Sequence, residues 1–367
     1  MLLRMEYANG VVIPRVGDAG WTSPAGFPCG FPVPLLLLLL VVDLDLNLDP
    51  GLTALRPLGG FFLLRTAAVP PRPLPTLARA YADPAGDPSR HRPAGDPSRH
   101  RPADDPSRPR TSGDLSPDVH RDPLAARVRR VADALRTPEL RVAASVAHQG
   151  LAARLWSVAL GCAALYGSLP DLDPALLRWD PAAGAPDDLW LTEVRPLPAD
   201  PATLAATVLD AHLDPLATAL RARHRLAPGL LWGNAASALV GAARRLHHWA
   251  GETGRAQAGE RTRALIAQLL RHPRLRGTLT GVPDTGTPDD TETPNGTETP
   301  DPDLPDTGTP NDTETSALGL PDTALLAPGT TLRRRSCCLY YRVPGGGVCG
   351  DCCFPRPPRS SPRAPSG

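Results

Sequence analysis

The C-terminal stretch RRSCCLYYRVPGGGVCGDCC (residues 334–353) contains five of the seven cysteines of the chain. Cys337 and Cys338 are adjacent, ten residues separate this pair from Cys349, and two further residues separate Cys349 from Cys352. Four thiolates that converge within so short a stretch form a soft, electron-rich ligand set, which suits an iron–sulfur cluster or a zinc ion. This stretch therefore decides how the end of the chain folds, and the rest of the sequence supports it.

The ten residues between the two cysteine pairs, 339–348, predict how the pairs meet. Their apolar and aromatic start predicts a short strand, and Pro344-Gly345 predicts a turn that reverses the chain. The return would place the second cysteine pair beside the first, in a cysteine-ligated hairpin. Gly350 leaves room for the tight backbone of the C-x-x-C turn.

The residues alone leave the nature of this site open. A zinc ribbon usually has two C-x-x-C knuckles, whereas the first pair here is vicinal, so ligand softness favours structural zinc and an iron–sulfur cluster about equally. A disulfide framework suits small secreted domains, but this chain is long and its N-terminal pattern predicts no export signal. A thioredoxin-like redox motif would need a βαβ context, which the sequence does not predict.

The runs RRSCCLYYR (334–342), PGGG (344–347) and CGDC (349–352) resemble the C-terminal motif of the siderophore-iron reductase family, the FhuF-like ferric hydroxamate reductases. That family is marked by C-C-x10-C-x2-C and carries a [2Fe-2S] cluster on it. The resemblance extends upstream through residues 151–180 and 230–246. It implies a cluster held by Cys337, Cys338, Cys349 and Cys352. Cys353 stands where an apolar residue is more usual in the family, and we expect that it is not a ligand.

The resemblance implies a ferric-siderophore reductase, with hydroxamate chelates as the expected substrates. Hydroxamate and catecholate oxygens are hard ligands for Fe(III), and one added electron makes the iron softer and weakens the chelate. The glycines at 345–347 have no βαβ unit around them, and no nicotinamide or flavin site is predicted. We therefore expect an external electron donor, such as a ferredoxin or a flavin reductase. The alternative is a non-enzymatic interaction protein that zinc or a cluster stabilises.

The composition argues against several other classes of protein. The chain has 39 basic and 38 acidic residues, so it lacks the basic footprint of a nucleic-acid-binding protein. The apolar run at residues 35–42 is far shorter than the ~20 residues of a membrane helix, which leaves peripheral membrane association as the minor alternative. Cys29 and Cys162 are isolated, which is typical of a reducing compartment, and we expect a cytoplasmic protein.

The prolines and glycines concentrate in tracts that flank one predicted domain. A nine-residue repeat covers residues 84–110 and an acidic Thr/Pro tract covers 281–323, and neither has the apolar residues that would offset its ordering entropy. The predicted organisation is an N-terminal extension that is disordered or non-essential (1–75), a Pro/Arg-rich repeat linker (76–122), a helical reductase body (123–278), a disordered acidic insert (279–329), the [2Fe-2S]-binding motif (330–354) and a disordered tail (355–367).

Between these tracts the apolar residues recur with the period of helices, which predicts a mainly α (α+β) fold with a small strand element. Thr137-Pro138-Glu139 has the hydroxyl, the proline and the acid of a helix start, and Gly167 predicts the end of that helix. Further helices are predicted at 201–225 with a break at Asp214-Pro215, at 230–249 and at 260–271, and a strand at 189–194.

Within the helical body no second site is predicted, and we assign no catalytic residue. His224, His247 and His248 lie on arginine-rich helix faces, where a histidine is more often a surface residue than a ligand. Cys162 lies on an apolar face and is predicted to be a core residue. The arginines at 333–335 and 342 predict either a solvated basic patch or a functional one, which would compensate an anionic cluster or dock an acidic electron donor.

Overall fold

Helices form most of the structure that the computed structural model describes, which comprises residues 4–8, 11–15, 52–67, 70, 72–82, 117–283, 326 and 330–358. The predicted mainly α class is confirmed. In chain order the helices are α1 (Leu77–Tyr81), α2 (Pro117–Arg121), α3 (Pro123–Leu135), α4 (Leu140–Tyr166), α5 (Pro201–Leu204), α6 (Asp214–His224), α7 (Pro228–Glu252) and α8 (Ala256–Leu269).

The strands are short and build small sheets within the described ranges. β6 lies between β3, which is parallel to it, and β5, which is antiparallel; β1 pairs with β2, β4 with β7 and β8 with β9, all antiparallel. Their bounds are β1 (Arg4–Ala8), β2 (Val11–Arg15), β3 (Arg65–Thr66), β4 (Ser168–Pro170), β5 (Leu177–Trp179), β6 (Leu189–Leu191), β7 (Pro196–Pro198), β8 (Leu279–Pro283) and β9 (Thr330–Arg334).

The centre of the core is α4, which is buried on nearly every face. Its many alanines let the neighbouring helices approach closely, and it packs most extensively on α7, while α7 also packs on α8. The helix ends at Gly167, whose φ of 69° is the left-handed cap that glycine adopts most easily. The predicted long helix is therefore confirmed, with Cys162 buried in the core as expected.

At Asp214-Pro215 the structure changes helical register, and the predicted break is wrong. A π-helical segment, Ala205–Leu213, joins α5 to α6 without interruption. The N–H of Asp214 donates to the carbonyl of Leu209, five residues back. Pro215 has no N–H, so the helix lacks one backbone hydrogen bond at this residue in either register. The register can therefore change at Asp214-Pro215 without the loss of a further hydrogen bond.

Part of the N-terminal extension belongs to the core. The expectation that residues 1–75 are disordered or non-essential is wrong for 52–66, which carry enough apolar side chains to bury a contiguous surface. A Cβ at Gly161 of α4 would lie 2.9 Å from the Phe62 ring, so the segment packs directly on the central helix. The apolar run at 35–42 and the repeats at 84–110 lie outside the described residues. The core side chains of the segment are Leu52, Leu55, Leu58, Phe62 and Leu64.

Arg154 of α4 binds the backbone of this segment. Its side chain is almost fully buried, pairs with Asp188 at 3.0 Å, and donates to the carbonyls of Phe61 and Leu63 at 2.6 Å each. One guanidinium therefore satisfies two backbone carbonyls and a carboxylate that would otherwise be buried without partners.

We expect Arg154→Met to lower the free energy of unfolding by about 3–5 kcal/mol, because it leaves the Asp188 carboxylate buried and unpaired. Urea denaturation followed by circular dichroism measures the change. Arg195→Met, which removes an exposed pair with Glu193, is the matched control and should leave stability nearly unchanged. Equal effects of the two substitutions would contradict the assigned role of Arg154.

Both ends of the predicted insert are ordered, so its boundaries at 279–329 are wrong. Leu279–Pro283 forms β8, which pairs with β9 so that Pro283 lies opposite Thr330, and Leu326 is buried in the core. The pairing of β8 with β9 brings the two ends of the intervening chain together, as expected for a loop. Residues 284–325 lie outside the described residues. No helix within the described ranges is long and apolar enough to cross a membrane.

Because β8 and β9 pair directly, we expect residues 286–321 to be replaceable by about ten Gly/Ser residues. Halving a loop changes the closure free energy by only ~0.6 kcal/mol. Iron content and melting temperature should therefore stay close to those of the full chain, while a variant that also deletes Leu326 should melt earlier. A large loss of iron in the first variant would show that the replaced residues pack on the body.

Candidate metal centre

The cysteine segment leaves β9 as a series of tight turns. Leu339 adopts a left-handed φ of 68°, and Arg342 N–H donates to the Leu339 carbonyl at 3.0 Å in a 3₁₀ turn over Tyr340–Arg342. The short strand predicted at the start of 339–348 is therefore wrong, and the only strand adjoining the cysteines in the described residues is β9. Adjacent cysteines that must reach one metal centre need a curved backbone, which an extended strand cannot provide.

A glycine closes the return of the chain. Gly346 N–H donates to the Val343 carbonyl at 2.7 Å, and a Cβ at this position would lie 2.8 Å from the Tyr340 carbonyl oxygen. Val343 is buried, so this turn packs the cysteine segment against the helical body. The predicted reversal between the two cysteine pairs is therefore present, although it is built from turns.

The structure brings the five sulfurs together in two neighbouring groups. The Sγ atoms of Cys338 and Cys349 lie 3.4 Å apart. The Sγ atoms of Cys337, Cys352 and Cys353 all lie within 4.8 Å of one another. The four predicted ligands thus fall in two sets, and Cys353, which we expected to be no ligand, stands beside two of them.

Hydrogen bonds and burial shift the pKa values of three of these thiols in different directions. Backbone N–H groups of Leu339 and Phe354 donate to the Sγ atoms of Cys337 and Cys352, at 3.3 and 3.4 Å. The hydrogen bond from Cys349 lowers the pKa of the Cys338 thiol to about 6, and the charge of Arg334 acts in the same direction. The pKa of Cys349 is raised because it holds the shared proton. Burial raises the pKa of Cys337 to about 12.

A buried arginine, Arg334, joins the cysteine segment to the helical body. Its side chain is 1% exposed, and its Nε donates to the Asp351 carboxylate at 2.7 Å. The other two nitrogens donate to Asn234 Oδ1 and, at 2.7 Å, to Ser237 Oγ, both on α7. The backbone N–H of Arg334 also donates to the Asp351 carbonyl at 2.8 Å. Each nitrogen of the guanidinium therefore has an acceptor, as a buried cation requires.

The same network continues into α4 and returns to a cysteine. Asn234 Nδ2 donates to the Ser145 carbonyl at 3.0 Å, and Ser145 Oγ donates to the Cys338 carbonyl at 2.7 Å. A Cβ at Gly233 would lie 2.7 Å from Ser336 Oγ, so α7 passes directly under the start of the cysteine segment. This continuous network of hydrogen bonds sets the position of Cys338 relative to α4 and α7.

The outer edge of the segment is held by weaker, exposed contacts. Arg342 makes a bidentate pair with Glu139, which precedes α4, with Nε–Oε2 and NH2–Oε1 distances of 2.9 Å. Tyr340 and Val348 are among the few large apolar side chains exposed in the described residues. Cys337 and Cys349 are partly exposed, whereas Cys338 and Cys352 are buried and Arg334 closes the inner side.

The sulfur arrangement fits a [2Fe-2S] cluster. Thiolates that share one tetrahedral metal with ~2.3 Å bonds lie ~3.8 Å apart, which is close to the separation of Cys338 and Cys349. Cys337 with Cys352 supplies a second pair. A cluster of two irons needs two such pairs side by side, whereas a single zinc ion would draw four sulfurs into one group.

Sequence patterns did not single out Arg334 as the buried member of its arginine run, nor Asn234, Ser145 and Asp351. Arg333 and Arg335 are more exposed, and only the alternation along β9 distinguishes Arg334 from them. His148 of α4 was also missed: it is buried, and neither ring nitrogen has a partner among the described residues. Burial and the charge of Arg334 lower the pKa of His148 to about 3, so this histidine is neutral.

Two models of protein families match the chain. Residues 142–278 match "Ferric iron reductase FhuF-like transporter", and residues 334–354 match "FhuF 2Fe-2S C-terminal domain". The predicted siderophore-iron reductase family and the predicted [2Fe-2S] cofactor are thereby confirmed. Searches of curated proteins and of solved structures found no match. The matched segments contain both sides of the Arg334 network, with Ser145 and Asn234 in the first and Asp351 in the second.

We predict that single serine substitutions of Cys337, Cys338, Cys349 and Cys352 abolish or strongly perturb the visible and EPR signals of the cluster, because each removes one of four thiolate ligands. Cys353→Ser is the matched control and should keep iron content and spectrum. Loss of the cluster in Cys353→Ser together with its retention in Cys352→Ser would reverse the assignment of the last ligand.

Proposed function

We propose that this chain is a ferric-siderophore reductase that works in the cytoplasm and releases iron as Fe(II). The observation that carries the proposal is the double set of thiolates, at the edge of a helical body that matches a family of ferric iron reductases. Cys337, Cys338, Cys349 and Cys352 are the proposed ligands. The cluster, when bound, supplies electrons one at a time.

The substrate class is the one that the family resemblance implies, and the chemistry of iron release is consistent with it. Hydroxamate oxygens hold Fe(III) strongly because hard ligands match a small, highly charged ion, and one electron converts it to the softer Fe(II), for which the chelate is weak. A single-electron reductase is therefore sufficient, with no bond to the ligand broken. We propose hydroxamate siderophores as the substrates.

The residues around the thiols suit exchange of electrons with partners from solution. Tyr340 and Val348 are exposed on the outer edge of the segment, and Cys337 and Cys349 are only partly buried. An external one-electron donor, such as a ferredoxin or a flavin reductase, and the ferric chelate would both approach this edge. The inner side is closed by α4 and α7, where Ser145, Asn234 and Ser237 take part in the Arg334 network.

We predict that the dithionite-reduced protein, freed of excess reductant, reduces a ferric hydroxamate under anaerobic conditions. Ferrozine should trap about one Fe(II) per chain while the visible spectrum returns to that of the oxidised cluster, since the centre stores a single electron. NADPH without a donor protein should leave the oxidised spectrum unchanged.

Two controls separate the proposed reaction from others. The Ga(III) complex of the same hydroxamate cannot accept an electron at this potential and should not reoxidise the protein, and the Cys338→Ser protein should release no Fe(II). Reoxidation without Fe(II) would contradict the proposed substrate. Rapid reduction by NADPH alone would show a nicotinamide or flavin site in the chain.

A further inference from the structure

Arg334 and Asp351 form an unusual pair of charges for a metal centre, because one of them is fully enclosed. The Arg334 side chain is 1% exposed and Asp351 is 24% exposed, and their Nε–Oδ2 distance is 2.7 Å. The remaining guanidinium nitrogens are held by Asn234 and Ser237. A buried cation with an acceptor at each of its three nitrogens is held in place, so we expect its charge to stay at one position in the oxidised and the reduced protein.

Both charges lie beside the cysteines. Asp351 lies in the chain between Cys349 and Cys352. The backbone N–H of Arg334 donates to the Asp351 carbonyl at 2.8 Å, and its Nε donates to the Asp351 carboxylate. The guanidinium is therefore fixed next to the C-x-x-C turn. Water screens the charge of Arg334 little, because its side chain is 1% exposed, and it screens the partly exposed Asp351 more.

We propose that Arg334 and Asp351 set the reduction potential of the cluster in opposite directions. Reduction adds one negative charge to a centre that is already anionic, so a fixed cation nearby favours the added electron and a fixed carboxylate opposes it. The pair thereby places the potential between the values that either charge alone would give. This inference rests on the proposed ligation by the four cysteines, and it holds whatever the ferric substrate is.

The test is the midpoint potential of the purified proteins, measured by spectroelectrochemistry at constant pH and ionic strength. Asp351→Asn keeps the shape and an acceptor oxygen for Arg334, and it should raise the potential. Arg334→Gln should lower it. We expect each shift to reach about tenfold in the equilibrium constant for reduction, which is about 59 mV for one electron. In the double variant the two shifts should largely cancel, because the net charge of the pair is again zero.

Arg335→Gln is the matched control, because Arg335 is the exposed neighbour of Arg334 and carries the same charge. It should shift the potential by much less, since water screens an exposed charge. Shifts of the same sign in Asp351→Asn and Arg334→Gln would show that the pair only maintains the local fold, and would overturn the proposal. Shifts no larger than that of Arg335→Gln would overturn it too.

If Arg334→Gln does not assemble a cluster, Arg334→Lys and Asp351→Asn decide the question. Arg334→Lys keeps the charge with fewer donors, so it should melt earlier but hold a potential close to that of the unchanged protein. A clearly lower reduction potential in the less stable Arg334→Lys protein would refute the inference. An Asp351→Asn protein whose potential is not raised would refute it too. An unchanged protein without a [2Fe-2S] spectrum would instead refute the proposed ligation, so the two failures are distinguishable.

Discussion

The positive charge of Arg334 must be balanced inside the protein, because its side chain is closed off from water. The structure balances it with Asp351 of the cysteine segment and gives its other two nitrogens acceptors on Asn234 and Ser237 of α7. The cysteine segment has no extended strand of its own after β9 and buries few side chains. Its position therefore depends on this ion pair and on the hydrogen bond from Ser145 to the Cys338 carbonyl.

The helical body is shaped to carry that network. Ser145 and Asn234 lie in the second turns of α4 and α7, and the close packing of these two helices brings both side chains to the same place under the cysteines. Gly233 leaves the space in which Ser336 approaches α7. Farther along α4, near its middle, Arg154 binds the segment 52–66, which completes the core. The central helix thus links the core to the site over its whole length.

The sequence predicts the site better than its surroundings. Cysteine spacing predicts that the thiols converge, and the structure brings the five sulfurs together. Helical periodicity predicts α4 and α7, because their apolar patterns are long. The 3₁₀ turn at Tyr340–Arg342 was not predicted, since the requirement for two vicinal sulfurs to reach one centre overrides the strand preference of tyrosine and valine. The burial of residues 52–66 and of Arg334 was not predicted. It depends on contacts with Arg154 and Asn234, which are distant in the sequence and leave no local pattern.

The most direct measurement is a reductive titration of the purified protein, with its iron, sulfide and zinc content determined on the same sample. The account predicts a red-brown protein with about two irons and two sulfides per chain, which takes up about one electron and then shows the EPR signal of a single unpaired electron. A colourless protein that contains zinc, or a cluster that accepts no electron, would contradict it, because either would leave the Arg334 network around a purely structural centre.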